Sequence, residues 1–365
     1  MVHANITGGS SLSQQGAPAP RPTSFGVHSY STHDPELDSA IRELVNRTGT
    51  PNADLIGEMV ITAIKLAQDG ADRGDLKIVN TALKEMRHAF RVFHDYRQSR
   101  KVAIFGSART PADHPEYQQA RELAQRLAEL EYMVITGAGP GIMRAGHEGA
   151  TPDKSFGVNI RLPFEQTAND VILGSPRLIN FKYFFTRKLS FVKESDAIVL
   201  LPGGFGTMDE GFESLTLVQT GKSRIMPIVF LDSPGGQFWK EWDRYVRGHL
   251  LAGGRISKAD LALYIVTDDV STACAEITRF YHNFHSARFV RDVTVLRTLR
   301  PVPPEGIAQL QSDFKDIIEG PITSSQPLPE EREEQALAQL PRLAFKFNRR
   351  HYGRLRQMID AVNVY

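Results

Sequence analysis

The chain has 365 residues, enough for one large domain or two smaller ones around a sizeable buried core. Its 43 basic and 42 acidic side chains leave a formal charge of +1, which supplies no electrostatic footprint for nucleic acid or an anionic membrane. Cys274 is the sole cysteine, so an intrachain disulfide or a cysteine-rich metal site is excluded, and no apolar run approaches the roughly 18 residues of a membrane span.

Residues 1–34 are rich in Gly, Ser, Pro and Gln and hold few large apolar groups. Too little surface can be buried there to offset the ordering entropy, so the segment reads as a disordered tail. It lacks the charged-then-apolar layout of a signal peptide, and the expected location is cytoplasmic. Residues 35–100 form the next segment, in which Leu76, Val79, Leu83, Met86, Phe90 and Phe93 recur at three- and four-residue steps, a helical period.

Strands and helices alternate over 101–285. Val102 to Phe105 reads as a buried strand and Glu116 to Leu130 as a helix. Further strands are expected at 133–136, 155–162, 197–201, 226–231 and 264–266, with helices at 141–149, 180–193, 212–219 and 270–284. Such alternation predicts an α/β fold, a Rossmann-like, doubly wound parallel sheet covered on both faces. Residues 286–365 form a mixed C-terminal extension: an added strand over 288–296, a break at Pro301 to Pro304, a polar loop over 323–334 and a helix over 343–362.

Chemistry concentrates where the strand ending at Leu201 turns into a helix. The run Pro202-Gly203-Gly204-Phe205-Gly206-Thr207-Met208-Asp209-Glu210 gathers three glycines, a hydroxyl and two carboxylates. Glycines allow backbone N–H groups to converge on an anion, and the helix dipole favours negative charge there, so the expected guest is a phosphate. Helix N-terminal charge accounts for one of the two carboxylates, and Asp209 is assigned that role. Thr207 either caps the helix or donates to the phosphate. Glu210 and Glu213 stand at helical spacing and can face one cleft.

This run resembles the PGGxGTxxE signature of the LOG family, the cytokinin riboside 5′-monophosphate phosphoribohydrolases often labelled lysine decarboxylases. Three further matches stand in order: Phe105-Gly106-Ser107-Ala108, Gly137-Ala138-Gly139-Pro140-Gly141-Ile142-Met143, and Arg187-Lys188. Together they cover about residues 98–285. The resemblance implies that Glu210 and Arg187 are catalytic. It further implies substrate contacts from Gly106, Ser107, Gly139, Gly141, Met143, Gly203, Gly204, Gly206, Thr207 and Glu213. Lys188 is read as structural, and a homodimeric core, open to higher association, is implied.

Two decoys fail. Gly137-Ala138-Gly139 opens like a dinucleotide fingerprint, but its sixth position is Ile142. Gly221-Lys222-Ser223 imitates a P-loop ending, but Thr216 occupies the required glycine position. His282 and His285 have metal-pair spacing without a third ligand nearby in sequence. The expected function is therefore hydrolysis of the N-glycosidic bond of a nucleoside 5′-monophosphate, AMP or a cytokinin ribotide, without metal or redox cofactor. The alternative is a non-catalytic nucleotide or molybdenum-cofactor carrier of similar fold. Lysine decarboxylation would need a lysine-anchored pyridoxal phosphate, for which no motif stands in the chain.

Overall fold

A computed structural model describes residues 30–161, 168–331 and 334–365. Residues 1–29 of the expected tail lie outside the described residues, as does residue 162 of the expected third strand. The chain divides into two compact units, one up to Val79 and one over Asn80–Tyr365.

The first unit holds α1 (Pro35–Asn46), α2 (Ala53–Gln68) and the start of α3 (Arg73–His94). Asp34 caps α1 by accepting from the N–H groups of Glu36 and Leu37, with Pro35 in the first turn.

The second unit is built on a parallel sheet of β1 (Lys101–Phe105), β2 (Met133–Thr136), β3 (Ser155–Ile160), β4 (Leu178–Phe181), β5 (Ala197–Leu200), β6 (Ile228–Leu231) and β7 (Ile265–Thr267). Its strand order is β4-β3-β2-β1-β5-β6-β7, and every pairing is parallel. Between the strands run α4 (Pro115–Glu129), α5 (Ile142–Ala150), α6 (Phe184–Glu194), α7 (Phe205–Gln219) and α8 (Phe238–Tyr245), with α9 (Val270–Phe280) after β7. The doubly wound α/β fold expected from the alternation is therefore present. Its cause is visible in β1, where Ala103 and Phe105 enter one core and Val102 and Ile104 enter the other.

Several expected spans are corrected. The helix anticipated over 180–193 is preceded by β4, whose residues pair with Gly157–Ile160, and α6 starts only at Phe184. The helix after the glycine run begins at Phe205 instead of Phe212, because Gly204 is its N-cap. The single strand expected at 288–296 is a hairpin of β8 (Phe284–Val290) and β9 (Val293–Thr298), turned at Arg291, whose φ is +53°.

The chain continues with α10 (Pro304–Asp313), β10 (Ile318–Ser324), β11 (Arg342–Phe347) and α11 (Tyr352–Val362). The start of the helix expected at 343–362 is thus strand β11, held between β9 and β10 in an antiparallel sheet of order β10-β11-β9-β8. Leu343, Phe345, Leu355 and Ile359 join the same apolar core as Phe230 and Phe280. Asn363 locks the junction, donating to Phe280 O and accepting from the N–H groups of Asn283 and Phe284.

Candidate functional site

Strand connections diverge on either side of β1: the chain steps outward through β2, β3 and β4 on one side and through β5, β6 and β7 on the other. In a doubly wound sheet the crevice at such a switch point, beyond the carboxyl ends of the strands, is where ligands bind. The turn after β1 and the turn after β5 meet there, Leu201 donating to Phe105 O at 2.8 Å and Ser107 to Pro202 O at 3.0 Å.

The resulting cleft has a volume of about 800 Å³. Gly106, Ser107, Met143, Arg187, Gly203, Gly204, Gly206, Thr207 and Glu210, all singled out in the sequence, line it. Gly139, Gly141 and Glu213 do not. Gly141 instead brings α5 against the first turn: its φ is +62°, and a Cβ there would collide with Ser107 O, while Ile142 N–H donates to that oxygen at 3.0 Å. Gly139 sits behind Met143, whose Cε a side chain would meet at 2.6 Å.

The first turn of α7 opens onto the cleft, and the N–H groups of Phe205 and Gly206, its first two residues, have no acceptor within the helix. Thr207 and Met208 donate to Gly204 O at 3.0 and 3.1 Å, tightening that turn. Positive dipole and unsatisfied donors there suit an anion.

One turn into the helix stands Glu210, only 7% exposed. Burial pushes its carboxyl up to about 7; the Lys188 and Arg187 cations oppose the shift, and Glu213 and Asp209 reinforce it. Lys188 does not line the cleft. Its ammonium is held by Asp209 at 2.7 Å and Glu213 at 2.6 Å, so the expected cleft-facing role of Glu213 gives way to an ion pair. Burial disfavours the Lys188 charge, but these two hydrogen bonds outweigh it and raise its pKa.

Arg187 reaches the cleft from α6. Its Nε donates to Val158 O at 2.8 Å, its guanidinium lies 5.3 Å from the centre of the Phe191 ring, and its Nη2 passes so close to Gly137 that a Cβ there would collide with it. Adjacent residues thus diverge by one helical step, Arg187 into the cleft and Lys188 toward α7.

The lining also includes Gly137, Phe184, Phe205, Met208 and Phe238, to which the sequence reading gave no role. Gly137 opens a glycine turn that was visible, and Phe205 is the variable position of PGGxGT. Phe238 begins α8, which carries no motif. Among the described residues, no group of three or more His, Cys, Asp and Glu gathers as metal ligands, and no helix is long and apolar enough to cross a membrane.

Residues 140–277 match the family described as "Possible lysine decarboxylase". Over 126 residues the chain is 33% identical to a probable cytokinin riboside 5′-monophosphate phosphoribohydrolase, LOGL5, of Oryza sativa subsp. japonica, covering 33% of this chain and 49% of that protein. A second rice protein of the same description, LOG4, is 27% identical over 128 residues, covering 33% and 54%. The chain spans about half the length of the curated relatives it matches. Among solved structures, a molybdenum-cofactor binding protein of Rippkaea orientalis is similar at 16% identity and a TM-score of 0.37, over 49% of this chain and 96% of that one. A Moco carrier protein of Chlamydomonas reinhardtii is similar at 20% identity and a TM-score of 0.35, over 50% and 96%.

Proposed function

We propose that the protein is a LOG-type phosphoribohydrolase acting on nucleoside 5′-monophosphates, a reading supported by the family match over residues 140–277 and the similarity to the two rice proteins. Water attacks C1′ of the ribose, the C1′–N bond breaks with its electron pair going to the base, and free base and ribose 5-phosphate leave. The observation that carries this reading is a buried carboxylate, Glu210, one turn inside the glycine-rich helix end that opens onto the cleft.

In this reading the Gly203–Thr207 segment holds the 5′-phosphate, and that distant binding energy orients the sugar. Loss of the base leaves an oxocarbenium-like ribose, which the Glu210 carboxylate stabilises while accepting a proton from the attacking water; the base takes its proton from solvent. Arg187 binds the phosphate or the leaving base with its planar guanidinium. AMP and cytokinin ribotides are the substrates we favour, and the aromatic rim of Phe184, Phe205 and Phe238 supplies faces for a planar base. We further read the protein as cytoplasmic and homodimeric. Apolar side chains exposed on α6 and α7, Phe185, Leu189 and Phe212, support the dimer; light scattering at micromolar concentration checks it.

The deciding experiment incubates the protein with nucleosides and their 5′-monophosphates and scores free base. Strong preference for monophosphates is expected. Equal release from AMP and adenosine defeats the phosphate assignment, and tight binding of nucleotides without turnover of any leaves a carrier.

A further inference from the structure

One buried polar network lies outside the proposed chemistry. His147 on α5 is fully buried, with Nε2 3.1 Å from Phe156 O and 3.0 Å from Thr136 Oγ1. A carbonyl only accepts, so Nε2 carries the ring hydrogen and Nδ1 is left as the acceptor. The Asn169 amide nitrogen lies 3.2 Å from Nδ1. Burial also holds the imidazole pKa below its usual value, in keeping with a neutral ring.

Asn169 is the hub. Its Nδ2, with two hydrogens, lies 3.0 Å from Ala138 O, 2.9 Å from Gly139 O and 3.2 Å from His147 Nδ1, so one hydrogen is shared between acceptors, and its backbone N–H donates to Ala138 O at 2.8 Å. Thr136 Oγ1 accepts from Ala138 N–H at 3.1 Å. All of these bonds act on the turn between β2 and α5, which departs from ordinary backbone: Ala138 has a φ of +62°, in the left-handed region that non-glycine residues avoid. Ala138 is buried against Ala168 and Ile172, so the strained residue is covered by the segment that carries Asn169.

The held turn borders two groups of the cleft. Gly137 passes beneath the Arg187 guanidinium, and Gly141 and Ile142 abut Ser107 O. Phe156 and Val158, whose carbonyls receive His147 and Arg187, stand two residues apart on β3. We propose that Asn169, oriented by His147, is a positioning residue that clamps the Gly137–Gly141 turn and so fixes the Arg187 guanidinium in the cleft. The inference builds on the hydrolase reading, but the geometry it concerns is that of Arg187. Neither Asn169 nor His147 lines the cleft; each acts through the turn.

A double-mutant cycle tests this, using Asn169→Ala, Arg187→Ala and the double variant, with kcat and KM for AMP measured by release of adenine. Asn169→Ala is expected to lower kcat/KM about 10- to 100-fold, and to have little further effect once Arg187 is already alanine. Because the Arg187 cation opposes the rise in the Glu210 pKa, a displaced guanidinium should also move the pH at which activity reaches half its plateau upward. Asn169→Asp keeps the shape and loses the amide donors, so it should behave like the alanine variant, whereas Asn169→Ser, with one donor, should recover part of the loss. Additive effects of Asn169→Ala and Arg187→Ala, or wild-type kinetics for Asn169→Ala, overturn the proposal. If Asn169→Ala does not fold, Asn169→Ser and His147→Gln carry the same cycle. If the wild type releases base from no monophosphate, the hydrolase reading fails, and calorimetric binding of ribose 5-phosphate replaces turnover. The same non-additivity in affinity is then expected, and its absence overturns the positioning role.

Discussion

Two buried glutamates in the second unit are treated in opposite ways. Glu331, 2% exposed, is surrounded by donors: Arg297 Nε at 2.9 Å, Arg342 Nε at 3.3 Å and the Leu328 N–H at 2.9 Å. Burial alone would push its carboxyl up, but the Leu328 N–H and the Arg297 and Arg342 guanidiniums outweigh burial and hold it below the ordinary value. Glu210 has two cations within electrostatic reach, yet Lys188 is bonded to Asp209 and Glu213, and Arg187 Nε is bonded to Val158 O. Burial, which the two cations only partly oppose, pushes its carboxyl up to about 7. A carboxylate satisfied by fixed donors serves the fold; one left short of them is energetically costly and is available for chemistry.

The largest effect that could break this comparison is on Glu331. Glu331→Ala takes the shared carboxylate from two buried arginines, leaving Arg297 with Glu334 and Arg342 with the carbonyls of Leu337 and Ala338. Removing one partner of such a buried cluster costs about 3–5 kcal/mol, and these remaining contacts place the loss at the lower end. Denaturant unfolding should show that loss while the folded fraction keeps its turnover per molecule. A variant as stable as the wild type would mean that the cluster contributes nothing net.

Glu210→Gln should give the mirror image. Turnover of monophosphates is expected to fall on the order of a hundredfold, about 2.7 kcal/mol of transition-state stabilisation, with no loss of stability. Activity without Glu210 at the wild-type rate would return this residue to the fold.

Proton linkage sharpens the contrast further, because the two groups have opposite signs. The folded pKa of Glu210 lies above its unfolded value near 4.5, so its contribution to stability is present below about 4.5 and is lost as pH rises toward about 7. Glu210→Gln should therefore gain stability over the wild type across that window. Glu331 has a depressed folded pKa, so its contribution is present above about 4.5 and is lost as pH falls through the folded value. Thermal midpoints of the wild type and both variants between about pH 2 and 8 check the signs; parallel curves would deny the contrast.

What could be read from the sequence follows from distance along the chain. The β1 and β5 elements announce themselves through local period, and Arg187 and Glu210 stand in motifs, but the glycine run hid the start of α7, which begins at Phe205 inside it. Strand β4 stayed hidden because it is only four residues long and ends three residues before a helix begins. β11 merged into a helical reading because nothing local marks where Phe347 stops pairing and Tyr352 starts a turn. The Lys188–Glu213 pair joins residues 25 apart, and Asn169 meets Ala138 across 31. Such contacts depend on how α6 packs beside α7 and how the segment after β3 returns to the β2 turn, and no periodicity encodes that.

The smallest predicted effect concerns Lys188, which separates the two members of the Arg-Lys pair. If Glu210 acts as a carboxylate, kcat/KM should rise with pH and level off above about 7. Lys188 opposes the rise in the Glu210 pKa by its charge, although its ammonium is bonded to other carboxylates. Lys188→Met removes that cation and exposes Glu210 to the unneutralised charges of Asp209 and Glu213, and both changes favour the protonated acid. The activity limb should therefore move to higher pH, by about one unit or less since Asp209 is solvent-exposed, while the plateau rate changes only a few-fold. Arg187→Ala should instead depress the plateau itself. A limb that moves to lower pH in Lys188→Met, or a plateau that collapses as in Arg187→Ala, would put Lys188 in the cleft chemistry and undo the division of labour between these neighbouring side chains.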